Sequence, residues 1–131
     1  MTFNRTAAKA DELVARGAKF MSPKEIAQEA DYLFLMLGYP QDVQKMVLDE
    51  TDGLLCHMKA GATLIDHTTS SPMLAEQIAV VAENKGIHSV DAPVSGGDIG
   101  AKNGNLVTMV GGTDAGFGGV QQLLDVYSQE V

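Results

Sequence analysis

The residues best placed to do chemistry stand between Asp91 and Gly112, in the stretch DAPVSGGDIGAKNGNLVTMVGG. The apolar pattern predicts a short strand at His88–Ala92, then a Pro-Val-Ser-Gly-Gly turn. A glycine-spaced loop follows, and a second strand at Leu106–Val110. Glycine opens backbone conformations closed to other residues and lets a ligand approach the main chain. Ser95, beside Gly96 and Gly97, offers a hydroxyl and free N–H groups to an anion or carboxylate. The competing reading is a tight connection between two strands with no ligand. The stretch by itself does not choose between them.

Such a loop needs a frame, and the rest of the chain alternates strand with helix. Met1–Asn4 reads as the end of a strand. Thr6 is placed to cap a helix with Ala10, Leu13 and Val14 on its apolar face and Gly17 as its stop. Ala18–Met21 reads as a short strand. Ser22 followed by Pro23 opens a helix to Ala30. The unbroken apolar run Tyr32–Leu37 predicts a strand buried on both faces. After a Gly38-Tyr39-Pro40 turn, Asp42–Leu48 reads as a short helix, and Leu54–Met58 as a further helical turn. Thr63–Ile65 is a buried strand ending at Asp66. Ser71 and Pro72 repeat the cap-then-proline signal before a helix that places Leu74, Ile78, Val81 and Ala82 on one face and stops at Gly86. A last helix runs from Asp114 or Ala115 to Leu124. This alternation predicts βαβ units and a parallel sheet, in which ligands sit at the carboxyl ends of the strands. The segments at those ends are Asn4-Arg5-Thr6, Leu37–Pro40, Asp66–Ser70 and Pro93–Gly97. Each carries polar or turn-forming residues.

Composition narrows the classes. The chain of 131 residues suits one domain, and its 45% hydrophobic and 20% charged content is that of a globular protein. A net charge of −8, with nine scattered basic residues, argues against a nucleic-acid surface. A single local arginine can still recognise a phosphate-bearing small ligand. One cysteine, Cys56, provides neither a disulfide framework nor a multi-cysteine zinc site. No metal site is expected. In its Leu-Leu-Cys-His-Met context, Cys56 reads as a small buried hydrophobe rather than a nucleophile. No apolar run reaches membrane-spanning length, so no membrane partner is expected, and the opening residues show no signal-peptide core. His57 and His88 read as structural, and Lys102 as solvated.

Four segments, in register, resemble the β-hydroxyacid dehydrogenase family, which includes 3-hydroxyisobutyrate dehydrogenase, tartronate semialdehyde reductase and the glyoxylate/succinic semialdehyde reductases. They are FNRTAAKADELVARGA from Phe3, MLGYP from Met36, IDHTTSSP from Ile65, and the Asp91–Gly112 stretch. The resemblance implies a Rossmann-type, doubly wound, mostly parallel α/β sheet and a nicotinamide cofactor. It places Asn4, Arg5 and Thr6 at the adenosine ribose. An arginine at this point favours a 2′-phosphate, hence NADP(H), with NAD(H) as the alternative. Met36, Leu37 and Pro40 would lie along the cofactor, and Thr69, in the Thr68-Thr69-Ser70 loop, near the nicotinamide ribose. Ser95, Gly96 and Gly97 match the family's substrate-carboxylate loop. His67 stands where relatives often have Met and receives no role.

Against the family pattern, the chain is expected to lack the first glycine-rich βα unit and the C-terminal all-helical domain, so that residues 1–131 form a partial NAD(P)-binding domain. The family's catalytic lysine would then lie beyond Val131, and no residue here is assigned a catalytic role. The implied activity is hydride transfer between NADP(H) and a small β-hydroxyacid or semialdehyde, with the isolated chain inactive. The alternative is a non-catalytic structural or binding subunit. With the first strand missing, the edge of Tyr32–Leu37 either recruits a partner, as a homo-oligomer or within an assembly, or pairs with Met1–Asn4. The implied compartment is the cytoplasm or the mitochondrial matrix.

Overall fold

The computed structural model describes all residues, Met1–Val131. Its centre is strand β2 (Thr63–Asp66), every residue of which is buried. Strands β1 (Tyr32–Leu35) and β3 (His88–Asp91) pair with it on either side, both parallel. Successive side chains in a strand point to opposite faces, and the register shows the consequence. Leu33 and Leu64 share one face, with Leu35 beside them, while Phe34, Ile65 and Val90 form a row on the other.

The first face carries the larger core. Helices α2 (Pro23–Glu29), α3 (Pro40–Leu48), α4 (Leu54–His57) and α5 (Pro72–Asn84) bring Ala27, Val43, Val47, Leu54, Leu74, Ile78 and Ala82 onto Leu33, Leu35 and Leu64. The starts of two of these helices are fixed by the caps legible in the sequence. Ser22 Oγ accepts from the Glu25 N–H while the Glu25 carboxylate accepts from the Ser22 N–H, and Ser71 Oγ accepts from the Leu74 N–H. The second face is covered only in part. Helix α7 (Asp114–Leu124) lays Val120 and Leu124 over Ile65 and Val90 but does not reach Phe34.

The Asp91–Gly112 stretch bends out of this sheet and returns. Strand β4 (Val94–Ser95) pairs antiparallel with β5 (Leu106–Thr108), which pairs parallel with β7 (Ser128–Glu130). Strand β6 (Gly111–Gly112) then comes back antiparallel to β3, giving sheet orders β1-β2-β3-β6 and β4-β5-β7. The result is the expected Rossmann-like α/β architecture, mostly parallel within the first sheet.

Several expectations are corrected. Tyr32–Leu37 is not buried on both faces. The strand ends at Leu35, and Tyr32 and Phe34 are 45% and 42% exposed, because α7 stops short of them and β1 is the edge strand. Met1–Asn4 and Ala18–Met21 are not full strands. They touch through one parallel bridge, Thr2 to Phe20, and neither pairs with β1. The helix after Thr6 is a 3₁₀ turn (Ala7–Ala10) followed by α1 (Asp11–Ala15). The Thr6 hydroxyl caps nothing, and of the expected apolar face only Ala10 is buried, with Leu13 and Val14 exposed. Proline at its first helical position lets α3 begin at Pro40 rather than Asp42. The glycine-spaced segment after Ser95 is helix α6 (Gly97–Asn103), because Gly100 lets it pack on Leu106 and Gly104, in the left-handed region, ends it. Cys56 is exposed rather than buried; its Sγ lies 3.3 Å from the carbonyl oxygens of Asp49 and Glu50. No helix is long and apolar enough to cross a membrane.

Candidate functional site

Because β1, β2 and β3 are mutually parallel, the segments that follow them emerge along one edge of the sheet. These are Met36–Pro40, His67–Ser70 and Ala92–Gly97. The last backbone pairs of the ladder are the His67 N–H on Leu35 O and the Ala92 N–H on Asp66 O, both at 2.8 Å. Beyond that point side chains take over the connection. Asp66 Oδ1 accepts from the Thr68 N–H at 2.8 Å, and Thr68 Oγ1 accepts from the Leu37 N–H at 2.8 Å. Thr68 is 2% exposed. On the other side of β2, His67 Nδ1 lies 2.6 Å from Ala92 O and its Nε2 lies 2.8 Å from the Tyr127 hydroxyl. The His67 ring also stacks on Phe34 and meets Tyr127 edge-on.

The electrostatics follow from burial. Asp66 and Asp91 face each other in register at the ends of β2 and β3. Burial pushes both carboxyls above the ordinary aspartate range; hydrogen bonds from Thr68 oppose the rise at Asp66, and the Asp66 charge adds to it at Asp91. Burial likewise pushes the Tyr127 hydroxyl up to about 12. A cavity of about 320 Å³ opens beside this pair, lined among others by Ser70, Glu76, Ser89 and Gly112. No group of three or more His, Cys, Asp and Glu side chains is arranged to hold a metal ion.

The expected site residues fall into three groups. Met36 and Leu37 leave β1, with Met36 exposed and Leu37 held by Thr68; Pro40 starts α3, and Thr69 is exposed on the next loop. Ser95, Gly96 and Gly97 are exposed at the junction of β4 and α6. Gly96 and Gly97 have φ of +129° and +63°, backbone that side chains rarely adopt. A Cβ on Gly96 would also lie 3.1 Å from Leu106 Cδ2. Neither N–H donates to another group of the chain, and the Ser95 hydroxyl has no partner within it. Asn4, Arg5 and Thr6 form the third group, in the exposed turn that follows the Thr2–Phe20 bridge. Asn4 Oδ1 accepts from the Thr6 N–H, folding the turn on itself, and the exposed Arg5 makes no ion pair. A free guanidinium beside an exposed hydroxyl and turn is a donor set that fits a phosphate.

Sequence reasoning placed Asp66 and Thr68 only as members of the Asp66–Ser70 segment, gave His67 no role and passed over Tyr127. The Asp-His-Thr spacing was a usable signal, since an aspartate often accepts from the N–H two residues on. Nothing local links His67 with a tyrosine 60 residues away.

Comparison with known proteins bears on the family and the fold. The family model described as the NAD binding domain of 6-phosphogluconate dehydrogenase matches residues 1–131. The chain is 48% identical over 113 residues, 86% of its length, to a probable 3-hydroxyisobutyrate dehydrogenase-like 1 protein, mitochondrial, of Arabidopsis thaliana, and covers 34% of that protein. Its fold superposes on Psf3 in complex with NADP+ and 2-OPP with a TM-score of 0.92 and 30% identity, covering 98% of this chain and 45% of that one. With the 3-hydroxyisobutyrate dehydrogenase of Salmonella typhimurium the TM-score is 0.89 at 28% identity, over 99% of this chain and 46% of that one. The chain thus spans less than half the length of each of these proteins.

Proposed function

The chain belongs to the family of the NAD binding domain of 6-phosphogluconate dehydrogenase, and on that premise we propose that it is part of an NADP-dependent dehydrogenase of small β-hydroxyacids or semialdehydes. Residues 1–131 would form part of its nucleotide-binding domain. The observation that carries the cofactor choice is Arg5, exposed and free of any ion pair in a turn with no acidic residue.

When bound, NADP(H) supplies or accepts the hydride. In this reading the Arg5 fork holds the 2′-phosphate, with Asn4 and Thr6 at the ribose. Met36, Leu37 and Pro40 form the wall along the nucleotide, and Thr69 contributes its hydroxyl near the nicotinamide ribose. The Ser95 hydroxyl and the free N–H groups of Gly96 and Gly97 orient the substrate carboxylate. None of the lysines among these residues is assigned the proton transfer, so the 131-residue chain by itself is expected to show no turnover with NADPH and glyoxylate.

One observation supports a second reading, a binding or structural subunit without turnover. The outer edge of β1 is unpaired and Tyr32 and Phe34 are exposed beside it, a template for association. In either reading the chain is expected to run as a dimer or larger species in light scattering.

The cofactor proposal is tested by titrating NADP+ and NAD+ into the chain and into Arg5→Ala. NADP+ binds more tightly, and the variant loses roughly tenfold or more for NADP+ alone, as removal of a charge-assisted hydrogen bond predicts. Equal affinities for the two nucleotides, or an equal loss for both, contradict it.

A further inference from the structure

The side-chain contacts at the carboxyl end of β2 have no part in pairing strands, and they reach both flanking loops. We infer that His67 and Thr68 are positioning residues that fix the spacing between the Met36–Pro40 turn and the Pro93–Gly97 loop. This rests on the reading above, in which the first of these holds cofactor and the second substrate.

Past Leu35, His67 and Ala92 no backbone hydrogen bond joins the three segments. Thr68 Oγ1 then accepts from the Leu37 N–H, and Leu37 has no backbone acceptor. The hydroxyl is itself held, because the Thr68 N–H donates to Asp66 Oδ1 and the residue is almost wholly buried. On the opposite side, a carbonyl oxygen can only accept. A 2.6 Å approach of His67 Nδ1 to Ala92 O therefore requires the proton on Nδ1. In the neutral ring Nε2 is then an acceptor, and the Tyr127 hydroxyl donates to it at 2.8 Å. The ring is held further by Phe34 against one face and Tyr127 at its edge. Ala92 is the last residue before the Pro93–Gly97 loop, so its carbonyl ties the start of the loop to β2, while the Met109 N–H on Pro93 O and the β4–β5 pairing hold the rest of it. One short segment of β2 thus clamps both walls. Reaction rates depend steeply on such spacing, with a misplacement of about 1 Å costing on the order of 100-fold.

Amide exchange and ring-nitrogen spectra of the ¹⁵N-labelled chain test this directly. In the wild type, the Leu37 N–H exchanges roughly five- to tenfold more slowly than the Gly38 N–H, the protection of about one net hydrogen bond. Thr68→Val removes that protection and Thr68→Ser keeps it, while amides in the β1–β2 ladder are unchanged. His67 shows a protonated Nδ1, and His67→Met and Tyr127→Phe each shift the amides of Val94, Ser95 and Gly96. An unprotected Leu37 in the wild type, protection that survives in Thr68→Val, or a His67 protonated on Nε2 alone overturns the inference. Should Thr68→Val fail to fold, the wild-type exchange and ring spectra still decide. A titration with 3-hydroxypropionate separates the two levels. If the clamp signals are as stated but the Ser95–Gly97 amides do not move with this probe, the positioning role stands and the substrate-loop reading fails.

Discussion

The row Phe34–Ile65–Val90 and the pair Leu13–Val14 are both runs of large apolar residues, and they end in different places. Ile65 and Val90 are almost wholly buried because α7 lies over them. Leu13 and Val14 are 49% and 42% exposed, and residues 1–21 contribute nothing to either core cluster. Ala10 is the one buried residue in that segment. The difference is a matter of partners rather than of side chains. An apolar stripe stabilises a fold only when another element covers it. One half of the candidate cofactor contacts is therefore mounted on a packed parallel sheet. The other, Asn4–Thr6, rides on a ribbon, residues 1–21, whose one β-bridge, Thr2 to Phe20, lies within it and of which only Ala10 is buried.

The largest effect expected from this contrast is at the centre of the sheet. Leu64→Ala removes a side chain that is 1% exposed and belongs to the same buried cluster as Val43, Val47, Leu54, Leu74 and Ile78. It should cost about 2–5 kcal/mol in denaturant unfolding. A cost under about 1 kcal/mol would mean that the core is not organised around β2.

A smaller effect concerns the carboxyl pair in the same region. Asp66 and Asp91 have pKa values raised by burial, so above the ordinary carboxylate range the folded chain binds more protons than the unfolded one. Their contribution to stability therefore falls as pH rises from about 4 through their raised values. The opposite groups, Asp49 and Glu25, have lowered pKa values through hydrogen bonds from Asp52 and Thr51 and with Ser22 respectively; their loss comes below that window. Asp91→Asn should flatten the fall in stability from acid toward neutral pH relative to wild type, as read by melting temperature. An unchanged pH slope would show that the pair is not buried as described.

The smallest effect is expected on the ribbon. Leu13→Ala should change stability by no more than about 0.5 kcal/mol, the usual range for a surface position. A loss as large as that of Leu64→Ala would show that the segment is covered after all and erase the contrast.

Much of this was legible in the residues. The capped helix starts at Ser22 and Ser71, the buried Thr63–Ile65 strand and the strand–helix alternation follow from local chemistry, and the structure has each of them. The failures share a cause. Whether Tyr32 and Phe34 are covered depends on how far α7 extends, and α7 lies some 80 residues along the chain. An unbroken apolar run cannot report that. The glycines after Ser95 read as a loop because glycine disfavours helix; close packing of Gly100 on Leu106 overrides that preference. In the site, the order of strands and turns pointed to the segments at the strand ends, and the roles of their residues rest on the family resemblance. The clamp at Asp66–Thr68 went unseen because its contacts with Leu37, Ala92 and Tyr127 are all made across the fold.

The central claim is that one nucleotide spans the two regions, and a titration of the ¹⁵N-labelled chain with NADP+ tests it most directly. The account predicts that amides of Asn4, Arg5 and Thr6 move together with those of Leu37, Gly38 and Thr69, along one saturation curve. Movement confined to one of the two groups, or two curves with different midpoints, would contradict it.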